Sequence, residues 1–333
     1  MRCMLATSAV LALLVPACGP LTFTVGGSPG NEALRESVVE SDGTLVRQRV
    51  ALIEVSGLLT SMPRPGIFLA GESPPGLLHE KLRKAQADGR VKAIVLRLNT
   101  PGGTVTASET MYSQLQRFKQ QTGKPIVVLM MDVAASGGYY MSCAADHIIA
   151  RPTSVTGSIG VLIQTISLKT ALDRLGVEAD AITSGPNKAA GSPLGRLTDE
   201  HRQILAALVD DFYARFTAVV RAARPQIPSD QFARVTDGRV YSGEAALQVG
   251  LVDQVGDLYD AFEKAKALAG IARAKLVIYH RASTSVRSTY AEAHVPTRTQ
   301  INLAQINFPD SISGPSTGFY YLWRPDVGGG IAE

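Results

Sequence analysis

Apolar residues fall along this chain in two patterns. Short continuous runs predict buried strands, and helical spacing predicts helices. Val50 to Val55 is one such run, closed by Gly57. Leu78, Leu82 and Ala85 share a helical face and predict a helix over 77–87. Further along, strands are expected at 91–98, 125–131, 147–150, 159–165 and 177–183, with helices at 107–121, 136–145 and 168–175 between them. Thr198-Asp199-Glu200 reads as a helix N-cap with acids in its first turn, and Pro225 stops that helix. Its stripe of Leu205, Leu208, Val209, Phe212, Phe216 and Val219 suits a core or a subunit contact. Helices over 242–249 and 258–268 close at Gly250 and Gly270, and 276–279 is a last strand. Strands and helices in alternation predict an α/β fold, a sheet covered by helices.

The ends of the chain break this pattern. Arg2 precedes an apolar stretch from Met4 to Ala17, too short to span a bilayer, that ends in Val15-Pro16-Ala17-Cys18. This predicts a signal segment over 1–18, with Cys18 a candidate for lipidation; an ordinary cleaved signal and an uncleaved anchor are the other readings. Each exports the rest of the chain, and the expected location is membrane-anchored, facing the periplasm or the cell exterior. Residues 19–47, rich in Gly, Ser, Pro and Glu, read as a flexible tether. One catalytic domain is expected over 48–272, with an extension over 273–333 packed on it.

Composition adds exclusions. Of the 333 residues 45% are apolar, which suits a globular chain. The net charge of +4 comes without a dense basic run, so nucleic acid is not an expected partner. Cys143 is the one cysteine outside the N-terminal segment and sits among small residues, so it reads as a buried packing residue. No paired cysteines or His-x-x-x-His motif support a metal site, and no cofactor is expected.

The chemistry gathers at a few positions. Ser136 stands where a strand gives way to a helix, followed by Gly137 and Gly138. It is either a nucleophile or simply an N-cap. The Gly137 N–H, and that of Gly103 in the Pro101-Gly102-Gly103 turn, are candidate oxyanion donors. Lys188 lies in a loop with few charges, where it is either a general base or a solvated lysine. Ser158, between Gly157 and Ile159, is a candidate for orienting that lysine. The histidines lie in charge-rich helices, at a strand start or near the tail, and argue against a Ser-His-Asp triad.

Several stretches together resemble the signal peptide peptidase A family, the S49 serine peptidases. They are Leu96 to Gly103, Ala134 to Tyr140, Thr156 to Gly160, Ser184 to Pro193, Asp237 to Tyr241 and Gly250 to Asp253. The resemblance implies a ClpP/crotonase-like fold of repeated ββα units. It implies a dyad of Ser136 as nucleophile and Lys188 as base, with Ser158 orienting the lysine and Gly103 and Gly137 holding the oxyanion. It further implies a homo-oligomeric ring, octameric in the short bacterial form, acting on remnant signal peptides or other small exported peptides. Thr100 departs from the serine common at that position. A crotonase-type acyl-CoA enzyme and a non-catalytic scaffold of the same fold are the competing readings.

Overall fold

The structure, a computed structural model, describes residues 33–62, 72–281 and 318–323. The signal segment, Cys18 and most of the tail lie outside the described residues. A nine-stranded sheet organises the chain. Along its main path are β1 (Arg35–Ser41), β11 (Lys275–His280), β2 (Arg49–Ser56), β3 (Val91–Thr100), β5 (Ile126–Ala135), β6 (His147–Ala150) and β10 (Gln254–Val255), neighbours in that order. From β11 to β10 the pairing is parallel, and β1 closes one edge antiparallel to β11. Central parallel strands are covered on both faces, which is why β2, β3 and β5 read as continuous apolar runs.

The two faces follow the strand period. Leu96 and Leu98 point to one side, into a core with Leu78 and Leu82 of α1 (Pro74–Ala87) and Met111 and Leu115 of α2 (Val105–Thr122). Val95, Val127 and Leu129 point to the other, against Leu258, Ala261, Phe262 and Ala265 of α8 (Leu258–Leu268). Strand β3, the short β4 (Gly102–Thr104) and α2 make one ββα unit, as expected of the fold. Past the end of β6, β5 continues and pairs with β7 (Val155–Gly157), which pairs in turn with β9 (Val240–Ser242). That extension carries Ser136.

Four expectations differ from what is observed. The stretch read as tether enters the sheet, because Arg35–Ser41 pairs residue by residue with β11. No strand forms over 177–183, where Val177 and Ile182 are exposed and have no neighbouring strand. The strand expected over 159–165 shrinks to β8 (Leu162–Ile163), which pairs with β12 (Phe319–Leu322). The helix at 136–145 is only α3 (Gly137–Ser142), and it begins after Ser136. Its partner in the fold is Leu251, whose carbonyl accepts a bond from the Tyr139 hydroxyl at 2.8 Å. No helix of the described residues is long and apolar enough to cross a membrane.

Candidate active site

Ser136 is the last residue before α3, yet it does not cap the helix. Its side chain makes no capping bond, and its φ of 53° is one a non-glycine residue rarely holds. It is 1% exposed and its Oγ has no hydrogen-bond partner. A buried hydroxyl without a partner costs about 1–3 kcal/mol, and the strained backbone costs a similar amount. The surroundings hold it there: Ser136 N–H donates to Gly157 O at 2.8 Å, and Tyr140 N–H donates to Ser136 O at 2.8 Å. Ser136 thus stands at the N-cap position without using its hydroxyl as a cap.

Ser158 sits alongside. Ala135 pairs with Gly157, so Ser136 and Ser158 lie one step beyond a paired position on adjacent parallel strands. Ser158 also has positive φ, at 51°, and is 8% exposed. Its N–H donates to Arg239 O at 2.7 Å, so the Asp237-Gly238-Arg239-Val240-Tyr241 stretch serves to hold this corner.

The glycines meet from two elements. Gly102 turns at φ 99°, and a Cβ built on it would stand 2.7 Å from the Gly137 nitrogen. The Pro-Gly-Gly turn therefore lies against the start of α3. On β4, Leu59 N–H donates to Gly102 O and Thr104 N–H donates to Leu59 O, both at 2.8 Å. Backbone groups alternate along a strand, so the Gly103 N–H points the other way, toward β12. Thr100, fully buried, braces the turn. Its hydroxyl donates to Gly57 O at 2.6 Å and accepts from Gly102 N–H at 3.1 Å. Its methyl packs against Gly138, where an added Cβ would come within 2.8 Å of it.

Lys188 is elsewhere in character. It is exposed, on a turn whose Lys188 N–H donates to Gly185 O at 3.2 Å. The turn is tied to the start of α5 (Asp199–Ala223): Asn187 Nδ2 donates to Glu200 Oε1 at 2.9 Å, and the His201 ring bonds Pro186 O at 3.1 Å. The chain thus brings together Ser136, Gly137, Gly103 and Ser158, while no hydrogen bond joins Lys188 to Ser136. Cys143 is buried, and burial pushes its thiol up to about 12, so it is no competing nucleophile. Among the described residues no acidic, His or Cys group has the makings of a metal site.

A buried serine hydroxyl without a partner, at the start of a glycine-led helix, is an arrangement that acyl transfer can use. The profile of Peptidase family S49 matches residues 118–272. A Synechocystis sp. protein named by inference as a protease is 33% identical over 228 residues, which is 68% of this chain and 77% of that protein. The chain belongs to peptidase family S49. Protease 4 of Salmonella typhi is 36% identical over 231 residues, covering 68% of this chain but 37% of that longer protein. One solved structure, of a mutant 1510-N membrane-bound stomatin-specific protease, aligns at 18% identity with a TM-score of 0.43, over 66% of this chain and 86% of that one. S49 membership leaves the acyl-CoA alternative without support. Two elements around the candidate site carry no signal in the sequence. One is Thr100 as a brace, since residue type alone does not show what its hydroxyl holds. The other is β12, which no pattern in the aromatic tail announces.

Proposed function

We propose that this chain is a serine endopeptidase working through Ser136 and Lys188 on small exported peptides, remnant signal peptides among them. The observation that carries this reading is Ser136, buried, strained and without a partner, next to the Gly137 amide. Lys188 in its neutral form takes the Ser136 proton as Oγ attacks the scissile carbonyl. The Gly103 and Gly137 N–H groups receive the oxyanion, each such donor lowering the barrier by about 3–4 kcal/mol. The lysine then protonates the leaving amine, and water releases the acyl group from Ser136. Ser158 is the residue that would orient the lysine.

The exposed position of Lys188 fits a site completed by assembly. The segment around it carries exposed Ile166, Leu168, Ile182, Leu194, Ile204 and Leu208, apolar surface that a homo-oligomeric ring would cover. Tethering to a membrane through Cys18 belongs to the same reading, and mass spectrometry of the mature N-terminus tests it: a lipid-modified Cys18 is expected. For the dyad, Ser136→Ala and Lys188→Ala should each abolish peptide cleavage while the thermal midpoint stays close to that of the parent. Activity surviving in either folded variant overturns the dyad.

A further inference from the structure

The groove beside the candidate oxyanion strand is already filled, by the chain itself. β12 lies between β4 and β8, antiparallel to both, with Tyr321 opposite Gly103 and Tyr320 opposite both Thr104 and Leu162. Trp323 N–H donates to Pro101 O at 2.8 Å, and Tyr321 and Gly103 are the next hydrogen-bonded pair along the ladder. The Tyr321 carbonyl oxygen therefore faces the Gly103 N–H. A Cβ built on Gly102 would meet that oxygen at 2.1 Å and the Gly137 nitrogen at 2.7 Å, so one carbonyl stands by both candidate oxyanion amides.

The side chains of this strand are held by a pocket with a polar floor. The Tyr321 ring stacks on Tyr140 at 5.2 Å and leans on Phe216 at 4.6 Å. Tyr112 backs Tyr140 edge-on. At the far end the Tyr321 hydroxyl donates to the Phe212 carbonyl at 2.8 Å. Two residues earlier, on the same face of the strand, Phe319 meets the Phe212 ring edge-on at 5.1 Å. An extended peptide pairing with β4 would present its side chains to these same surfaces, a mode in which main-chain bonds give affinity and alternate side chains give specificity.

We propose that this groove binds extended peptides of the pattern aromatic-x-tyrosine, with the tyrosine opposite Gly103 on the acyl side of the bond to be cut, and that Phe319 and Tyr321 are its resident occupants. This deepens the peptidase reading and rests on it for the cut alone. Hydrolysis adds water across the bond after the tyrosine, leaving a tyrosine carboxylate and a free amine. A phenylalanine would fill the slot but lose the hydroxyl bond to the Phe212 carbonyl, which keeps its helical bond; an alanine would leave the slot empty.

The test uses the full chain and a labelled hexapeptide, Gly-Phe-Tyr-Tyr-Leu-Trp, with its second tyrosine kept or replaced by phenylalanine or alanine. Binding is measured to Ser136→Ala, where no cleavage intervenes, and cleavage with the unmodified chain. The tyrosine peptide should bind about 2–10-fold tighter than the phenylalanine one, the range of one hydrogen bond. It should bind at least about 30-fold tighter than the alanine one, as for loss of an anchoring aromatic. Adding Tyr321→Ala to Ser136→Ala should raise binding of the tyrosine peptide about tenfold or more, because the resident strand then competes poorly. Should that variant fail to fold, Tyr321→Phe, which loses only the hydroxyl, should raise it a few-fold. Three peptides bound within twofold of one another, or a folded Tyr321 variant with no gain, overturns the proposal. Selective binding with no cleavage by the unmodified chain overturns the peptidase reading and leaves the groove standing; cleavage without preference does the reverse.

Discussion

At the scale of single residues, Ser136 and Thr100 show how placement makes chemistry. The sequence leaves the Ser136 hydroxyl between nucleophile and cap, since serines before helices are common caps. Only its φ and its unsatisfied Oγ separate it from them. Thr100 works at one remove. Its hydroxyl fixes the Gly102 turn and its methyl touches Gly138, so one side chain joins the two segments that carry the candidate amide donors. Thr100→Val keeps the volume and loses both hydroxyl bonds, and should lower kcat about 10–100-fold with little change in KM, since the donors drift while peptide binding remains. Thr100→Ser keeps the hydroxyl and should stay within about threefold of the parent. Steady-state kinetics on one peptide separates these outcomes, and a change confined to KM would contradict the brace.

At the scale of elements, α5 illustrates the limits of an amphipathic stripe. Its cap and its stop were legible: Thr198 Oγ1 accepts from His201 N–H at 3.1 Å, and the helix ends at Ala223. The stripe was legible too, but which part of it is covered was not. Phe216 and Val220 are fully buried, whereas Leu208 is 39% exposed. β12 and α3 pack on this helix through Phe212 and Phe216, in its C-terminal half. Phe216 touches Tyr140 and Tyr321 at 5.1 and 4.6 Å, joining three elements that are far apart in sequence. Phe216→Ala should therefore cost about 3–5 kcal/mol of unfolding free energy, read from denaturant melts. A cost under about 1 kcal/mol would mean that the pocket collapses around the loss.

At the scale of the whole molecule, a charge cluster ties the first strand to the core. Arg49 of β2 bonds Glu36 of β1 at 2.7 Å and Asp88, just past α1, at 2.8 Å. Burial by itself would raise the Asp88 carboxyl, but the Arg90 side chain and N–H and the Arg49 charge outweigh it and hold the carboxyl at about 2, against an ordinary 3.8. A carboxyl with a depressed folded value adds stability above its unfolded value, and this is lost as pH falls through the folded one. Thermal midpoints should accordingly fall between pH values of about 4 and 2, and fall less steeply in Asp88→Asn. Parallel slopes in the two proteins would exclude Asp88 as a source of the acid sensitivity.

The sequence by itself determined the strands and helices whose apolar pattern is local: β2, β3, β5, α1, α2 and α8 lie where periodicity puts them. It also marked Ser136, Gly103, Gly137, Ser158 and Lys188 as the residues to watch, because chemistry is tied to residue type and order. It did not reveal β1, β7 or β12. These are short strands with little pattern of their own, stabilised by partners distant along the chain. Tertiary structure alone decided that Ser136 is strained rather than capping, since its φ depends on the Gly157 and Tyr140 bonds around it. It alone brought Tyr321 to Gly103, because strand pairing is a contact between surfaces that no single segment specifies.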